Sequence, residues 1–167
     1  QINTLVTEET VADLGAIYQI VKGLEPMRWS LFFLIAVGRG RVLREVAPEE
    51  CETIHHWLYD ISGTVPFAVA TTEAPHYRRV AITRMRAEGI TTAEIRKTPV
   101  GRGFGIRDGN GIMFISHTGD ICPSGFLPVV AGNVRSAHIV EIYRQSELFR
   151  KIRQTAEFKG RCGRCEF

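Results

Sequence analysis

Trp29-Ser30-Leu31-Phe32-Phe33-Leu34-Ile35-Ala36 is an almost unbroken apolar run. Hydrophobicity without alternation predicts a strand covered on both faces, as in a parallel sheet. The flanking sequence agrees. Ile2-Asn3-Thr4-Leu5-Val6 is a β-rich run, and Val11, Leu14, Ile17, Tyr18, Val21 and Leu24 then recur at helical spacing. Thr7 is placed to cap a helix near 8–24, with Glu8 and Glu9 as favourable first-turn charges. After the run, Gly38-Arg39-Gly40-Arg41 reads as a loop, and Pro48-Glu49-Glu50 opens a helix reaching about residue 62. Its inner stripe is Cys51, Ile54, His55, Leu58 and Ile61, and Gly63 ends it. Pro66 to Thr71 reads as a third strand, and residues near 75–88 as a third helix. Strand alternating with helix implies βαβ units, a parallel sheet and an α/β fold.

In such sheets the chemistry gathers at the carboxyl ends of the strands. Those ends are read here as Asn3 and Thr4, then Gly38 to Arg41, then Thr71 to Arg79. The third segment puts Glu73, His76, Tyr77, Arg78 and Arg79 into seven residues. Guanidinium forks suit carboxylates or phosphates. The competing reading is a solvated basic helix start, and Asn3 reads equally as an ordinary polar strand residue. His55 and His56 point about 100° apart on a helix, so one metal is an awkward partner for both. His55 reads more readily as a satisfied residue at the core edge.

The glycines between Gly101 and Gly111 mark a domain boundary or mobile loop, and they do not follow a strand as a dinucleotide-binding motif would. Residues 112–117 and about 120–127 then read as a hairpin turning at Thr118-Gly119. Residues near 137–154 read as a helix broken at Ser146. Cys162-Gly163-Arg164-Cys165 follows at once. Two thiolates at this spacing are half of a metal site. Thioredoxin-like chemistry would need the pair at a helix start. A structural zinc site with Cys122 and a histidine, and an iron–sulfur cluster completed by cysteines beyond residue 167, both remain open. The chain starts in a strand and stops two residues after Cys165, which reads as an internal fragment of a larger metalloprotein.

Composition sets bounds on function. The 167 residues are 44% apolar and 23% charged, an ordinary globular balance. A net charge of +3 is too small to argue for nucleic acid by itself, and no apolar run reaches the ~18 residues of a membrane span. Four cysteines in a chain of this length make a disulfide framework unusual and fit a reducing cytoplasm. Cys51 reads as a small buried hydrophobe.

The segment Gly111-Ile-Met-Phe-Ile-Ser-His-Thr-Gly-Asp-Ile-Cys-Pro-Ser-Gly-Phe-Leu-Pro128 carries a resemblance, with Gly132-Asn133-Val134-Arg135, Ser146-Glu-Leu-Phe149 and Lys159-Gly-Arg-Cys-Gly-Arg-Cys-Glu166. In that order they resemble the C-terminal SPASM or twitch domain of radical S-adenosylmethionine (SAM) enzymes. Upstream, Ile2 to Thr7, Phe32 to Gly40 and Thr72 to Arg79 look like the last third of the radical SAM partial barrel. The likeness is greatest to a branch that is similar to the enzymes of alternative haem and d1 haem synthesis. The resemblance implies the C-terminal part of a partial (β/α) TIM-like barrel over residues 1–98, and a truncated SPASM-like α+β domain over 99–167. It further implies a [4Fe–4S] cluster that cleaves SAM to a 5′-deoxyadenosyl radical. A ferredoxin or flavodoxin would supply the electron, and the substrate would be a tetrapyrrole or a peptide.

On this likeness Cys162 and Cys165 bind an auxiliary cluster, with Cys122 as a further candidate. Asn3 lies near SAM, and Glu73, His76, Tyr77, Arg78 and Arg79 line the substrate side. The family's Cys-x-x-x-Cys-x-x-Cys and its glycine-rich strand are absent, so the chain alone is expected to be inactive. Ser124 stands where the family often has a cluster cysteine after proline, and Cys122 shares that strand face. Another family cysteine would fall near Ile106-Arg107 and is missing. A non-catalytic zinc-binding or interaction module is the alternative from another class.

Overall fold

The computed structural model describes residues 1–102 and 107–165. Gly103, Gly105, Ile106 and Glu166, which entered the sequence reading, lie outside the described residues. The chain divides into two units, Gln1–Gly103 and Phe104–Phe167.

In the first unit, β1 (Ile2–Val6), β2 (Arg28–Phe33) and β3 (Ala68–Thr72) form a sheet in the order β1-β2-β3. Both pairings are parallel, with Val6 opposite Phe33 and Phe32 opposite Thr72. The expected parallel sheet is therefore present. Three helices link and follow the strands: α1 (Leu14–Leu24), α2 (Pro48–Ser62) and α3 (Tyr77–Ala87). The short α4 (Thr92–Ile95) and α5 (Pro99–Arg102) complete the unit. α4 opens with a capping box between Thr91 and Glu94.

The helices pack on one face of the sheet. The core takes Ile2, Val6, Trp29, Leu31, Phe33 and Val69 from that face, with Leu14, Tyr18, Val21, Ile54, Leu58, Tyr77 and Ala81 from the helices. Trp29 is fully buried, stacks on Tyr18 at 5.9 Å and meets Trp57 edge-on at 6.0 Å. Its indole N–H donates to Thr4 Oγ1 at 2.9 Å, so the one polar atom of the ring is satisfied. Asn3, Leu5 and Phe32 project from the opposite face and stay outside this core; Leu5 is 44% exposed. The apolar run therefore does not mark a strand with helices on both sides. β2 also ends at Phe33, and residues 34–36 leave the sheet after Leu34 donates to the Val6 carbonyl.

The first helix begins later than its charges suggest. Thr7 is buried, and its amide donates to Thr10 Oγ1. The Thr10 and Val11 amides donate back to the Thr7 carbonyl, making a turn that delays the α-helix to Leu14. Glu8 and Glu9 do not serve the helix start. They hold Arg44 Nε at 3.1 and 3.2 Å, pinning the loop after β2 to the end of β1.

The second unit is a small antiparallel sheet with two helices. β4 (Phe114–Ile115), β5 (Asp120–Cys122) and β6 (Gly132–Asn133) pair in that order, so the expected hairpin carries a third strand. Gly119 turns the hairpin at a φ of +91°, where a side chain would be strained. Asn133 locks this turn by donating to Asp120 Oδ1 at 2.9 Å and to the Thr118 carbonyl at 3.2 Å. Gly132 allows close packing, since a Cβ there would sit 2.8 Å from Ile142 Cδ1. α6 (Ile139–Gln145) and α7 (Glu147–Arg153) meet at Ser146, whose Oγ accepts the Phe149 amide at 3.3 Å. Ser146 thus ends one helix and caps the next, as its position in the sequence suggests. Ile121, Ile142 and Phe149 form the core. No helix among the described residues is long and apolar enough to cross a membrane.

Candidate functional site

Parallel register sends the segments after β2 and β3 off the same carboxyl edge of the sheet, because Phe33 and Thr72 end neighbouring strands. Gly38–Val42 leaves that edge as a 3-10 turn, and Glu73 to His76 leads into α3. Asn3 is not at this edge. It pairs with Ser30, three positions before the strand closes at Phe33. It is exposed, and its Oδ1 accepts a 2.6 Å hydrogen bond from Gln1.

The turn after β3 is conformationally unusual. Glu73 has a φ of +61°, a left-handed backbone that costs a non-glycine residue free energy. His76 precedes the first turn of α3 and is exposed. Its ring meets His55 edge-on at 4.5 Å. His55 lies on α2, is 0% exposed, and touches Phe33 at 5.0 Å and Tyr77 at 5.9 Å. Neither of its ring nitrogens has a hydrogen-bond partner. The expectation of a satisfied histidine at the core edge is therefore corrected: the helix stripe carries it fully inside, packed against rings that make no hydrogen bond to it. Burial, and then the His76 and Arg79 charges, push its pKa down to about 4. Burial and Arg79 also lower His76.

The other members of the sequence cluster divide. Tyr77 points inward from the first turn of α3 and is 7% exposed, a core residue rather than a surface one. Burial raises its phenol pKa. Arg79 is ion-paired with Glu52 of α2, and its hydrogen bond lowers the Glu52 carboxyl. Arg78 donates to the Gly101 carbonyl at 3.4 Å, while its buried Nε has no partner. Sequence reasoning missed Glu52. A single carboxylate on an amphipathic helix looks solvated, yet it also faces His56 at 3.6 Å. Arg84 extends this network to Asp60 at 2.7 Å. A shallow cleft between α1 and α2, walled by Leu14, Ile54 and Trp57, includes none of these groups.

In the second unit, Cys162 and Cys165 are exposed at either end of a 3-10 turn, and the Cys165 amide donates to the Cys162 carbonyl at 3.5 Å. Lys159, Arg161 and Arg164 are their neighbours in sequence, and basic side chains suit an anionic thiolate–metal group. Thiolate donors fit iron or zinc. Cys122 sits in β5 at 4% exposure, and burial pushes its thiol pKa up. Among the described residues no three His, Cys, Asp or Glu side chains come together to hold a metal, so the structure does not join Cys122 to the pair. Ser124 serves its own turn, with its Oγ accepting the Phe126 and Leu127 amides at 3.2 and 3.1 Å.

Residues 107–166 match the SPASM family, an iron–sulfur cluster-binding domain, and the match spans the hairpin, both helices and the cysteine turn. This segment is similar to SPASM domains. Its hairpin, Gly132-Asn133 strand and exposed Cys162–Cys165 turn are the features described above. The whole chain is 35% identical to the AdoMet-dependent heme synthase of Methanosarcina barkeri. It is 36% identical to that of Oleidesulfovibrio alaskensis and 35% identical to that of Nitratidesulfovibrio vulgaris. The chain spans about half the length of these curated relatives, 48%, 44% and 46% respectively. No solved structure matches. The resemblance to radical SAM enzymes with a SPASM domain therefore runs along the whole chain.

Proposed function

We propose that the chain is part of a radical SAM enzyme acting on a tetrapyrrole, with its SPASM domain holding an auxiliary iron–sulfur cluster through Cys162 and Cys165. The exposed cysteine turn inside the SPASM match carries this reading. On this reading the unit Gln1–Gly103 is the last part of a partial (β/α) barrel and the unit Phe104–Phe167 the auxiliary domain, a boundary five residues later than the 98/99 expected from sequence, because Pro99–Arg102 stays with the first unit. Three parallel strands with helices on one face suit such a barrel segment. A reduced [4Fe–4S] cluster with bound SAM supplies a 5′-deoxyadenosyl radical when present. This chain carries no Cys-x-x-x-Cys-x-x-Cys to hold that cluster.

The chain's own residues bind and orient. Asn3, on the sheet face the helices leave open, contributes to the cofactor side. Glu73, His76, Arg78 and Arg79 face substrate at the carboxyl edge, with Tyr77 supporting them from the core. An electron donor of the ferredoxin or flavodoxin kind reduces the enzyme in the cytoplasm, where exposed thiols persist. Iron and acid-labile sulfide analysis of anaerobically prepared full-length protein, with its visible spectrum, tests the reading. Stoichiometric zinc in place of iron and sulfide would replace it with the zinc-module alternative.

The arginines give a second test. A bidentate guanidinium–carboxylate contact is worth about 1.5–3 kcal/mol, or roughly 10- to 100-fold in affinity. Arg78→Ala and Arg79→Ala are each expected to weaken binding of a propionate-bearing substrate by such a factor. The cluster spectrum and uncoupled cleavage of SAM should stay largely intact. Unchanged affinity in both variants would leave Arg78 and Arg79 with only their structural contacts to Gly101 and Glu52.

A further inference from the structure

His55 presents a problem that the cluster and substrate readings do not use. It is fully buried, both ring nitrogens lack partners, and its surroundings are the rings of Phe33, Tyr77 and His76. A buried polar group without a partner is held at a desolvation cost, and admitting water would relieve it. His76 is the exposed member of the pair. It sits at the end of a turn whose first residue, Glu73, is already in a left-handed backbone conformation. The closed arrangement thus combines an unsatisfied imidazole, a ring seated against it and a strained connection.

We propose that His76 is a lid seated on His55, and that proton uptake by this imidazole pair swings the lid away and opens the Glu73–His76 turn at the carboxyl edge of the sheet. The charges around the pair argue for opening. From α3, His76 and Arg79 oppose a proton on His55; from α2, His56 opposes it and Glu52 favours it. Phe33, from β2, is neutral. Glu52 is already committed to Arg79 and faces His56 at 3.6 Å, so it has little capacity to neutralise a second cation inside.

The sign follows from the shifts. Both imidazoles are lowered in the closed state, His55 to about 4, whereas an open histidine titrates near 6.5. The open state therefore binds more protons. Closure is fully favoured above about pH 6.5 and weakens as pH falls towards 4. The opening constant rises by up to about tenfold per pH unit for each imidazole that gains a proton. Such a latch would place the residues facing substrate under pH control. It rests on the first unit's geometry alone, so the iron analysis neither supports nor removes it.

The Tyr77 and Arg78 amides report on the turn, because they donate to the Ala74 and Pro75 carbonyls. Amide hydrogen exchange of the full-length protein at pH 7.5 and 5.5, corrected for intrinsic exchange rates, measures its opening. Opening in the native protein is expected to rise about tenfold for one imidazole, and towards a hundredfold for both. His55→Phe keeps an aromatic ring in the pocket and should reduce the response to at most tenfold. His55→Phe combined with His76→Gln should abolish it. If the His55 variants fail to fold, His76→Gln alone, at an exposed position, should still reduce the response. A pH-independent turn in the native protein, or an undiminished response in the variants that fold, would overturn the latch.

Discussion

Replacing Cys162 and Cys165 together by alanine is expected to remove one cluster's iron, about four atoms if the auxiliary group is [4Fe–4S], from the full-length protein. The matching part of the visible absorption should go with it. The argument is chemical. Both thiols are exposed on one turn, with basic neighbours in sequence, inside a segment that matches an iron–sulfur cluster-binding family. Cys122→Ser separates the candidate ligands. Cys122 is buried in β5, and burial disfavours its thiolate, so its loss is expected to leave the iron content unchanged. Equal iron in the native protein and the Cys162/Cys165 double variant would sink the assignment. Iron lost on Cys122→Ser would restore that residue as a ligand.

Features set by short-range physics were legible in the sequence. Pro48 with two acidic residues, followed by an apolar stripe and Gly63, gives a helix over Pro48–Ser62. Ser146 breaks one helix and caps the next because its hydroxyl satisfies a nearby amide. The Thr118-Gly119 turn follows from glycine's access to positive φ. Features set by contacts distant in sequence were not legible. Glu8 and Glu9 look like helix-start charges until Arg44, far along the chain, claims them. β6 has only Gly132 and Asn133, too short for any periodicity; its pairing with β5 defines it.

The candidate site divides in the same way. His76 and the arginines were visible as an unusual cluster in one connection. Their real neighbours, His55 and Glu52, come from α2 and carry no local mark of that role. Asn3 shows the opposite error. The strand Ile2–Val6 is itself legible, and Asn3 is only its second residue, so the carboxyl edge falls at Val6 and Leu34 and leaves Asn3 away from it.

Phe149→Ala is expected to have the largest effect on stability in the second unit. Phe149 is 0% exposed and joins Ile121 and Ile142 in a three-residue core, with the Tyr143 ring at 5.1 Å. The packing around it leaves little slack. A Cβ on Gly109 would lie 3.1 Å from its Cδ1, and Gly109, at a φ of +70°, is bonded to the Pro123 carbonyl at 3.0 Å. Truncating a buried phenylalanine costs about 3–5 kcal/mol, because transfer energy is lost and a cavity remains. A folded unit of this length is held by roughly 3–10 kcal/mol, at about 0.05–0.15 kcal/mol per residue. The substitution therefore takes away much or all of the margin. Hydrogen-exchange protection of the Ile121 and Ile142 amides should fall by several orders of magnitude. Phe149→Leu, which keeps most of the volume, should cost less than about 1.5 kcal/mol. Native-like protection in the alanine variant would show that the sheet and its turns, tied by Asn133 and Asp120, hold this unit without the aromatic core.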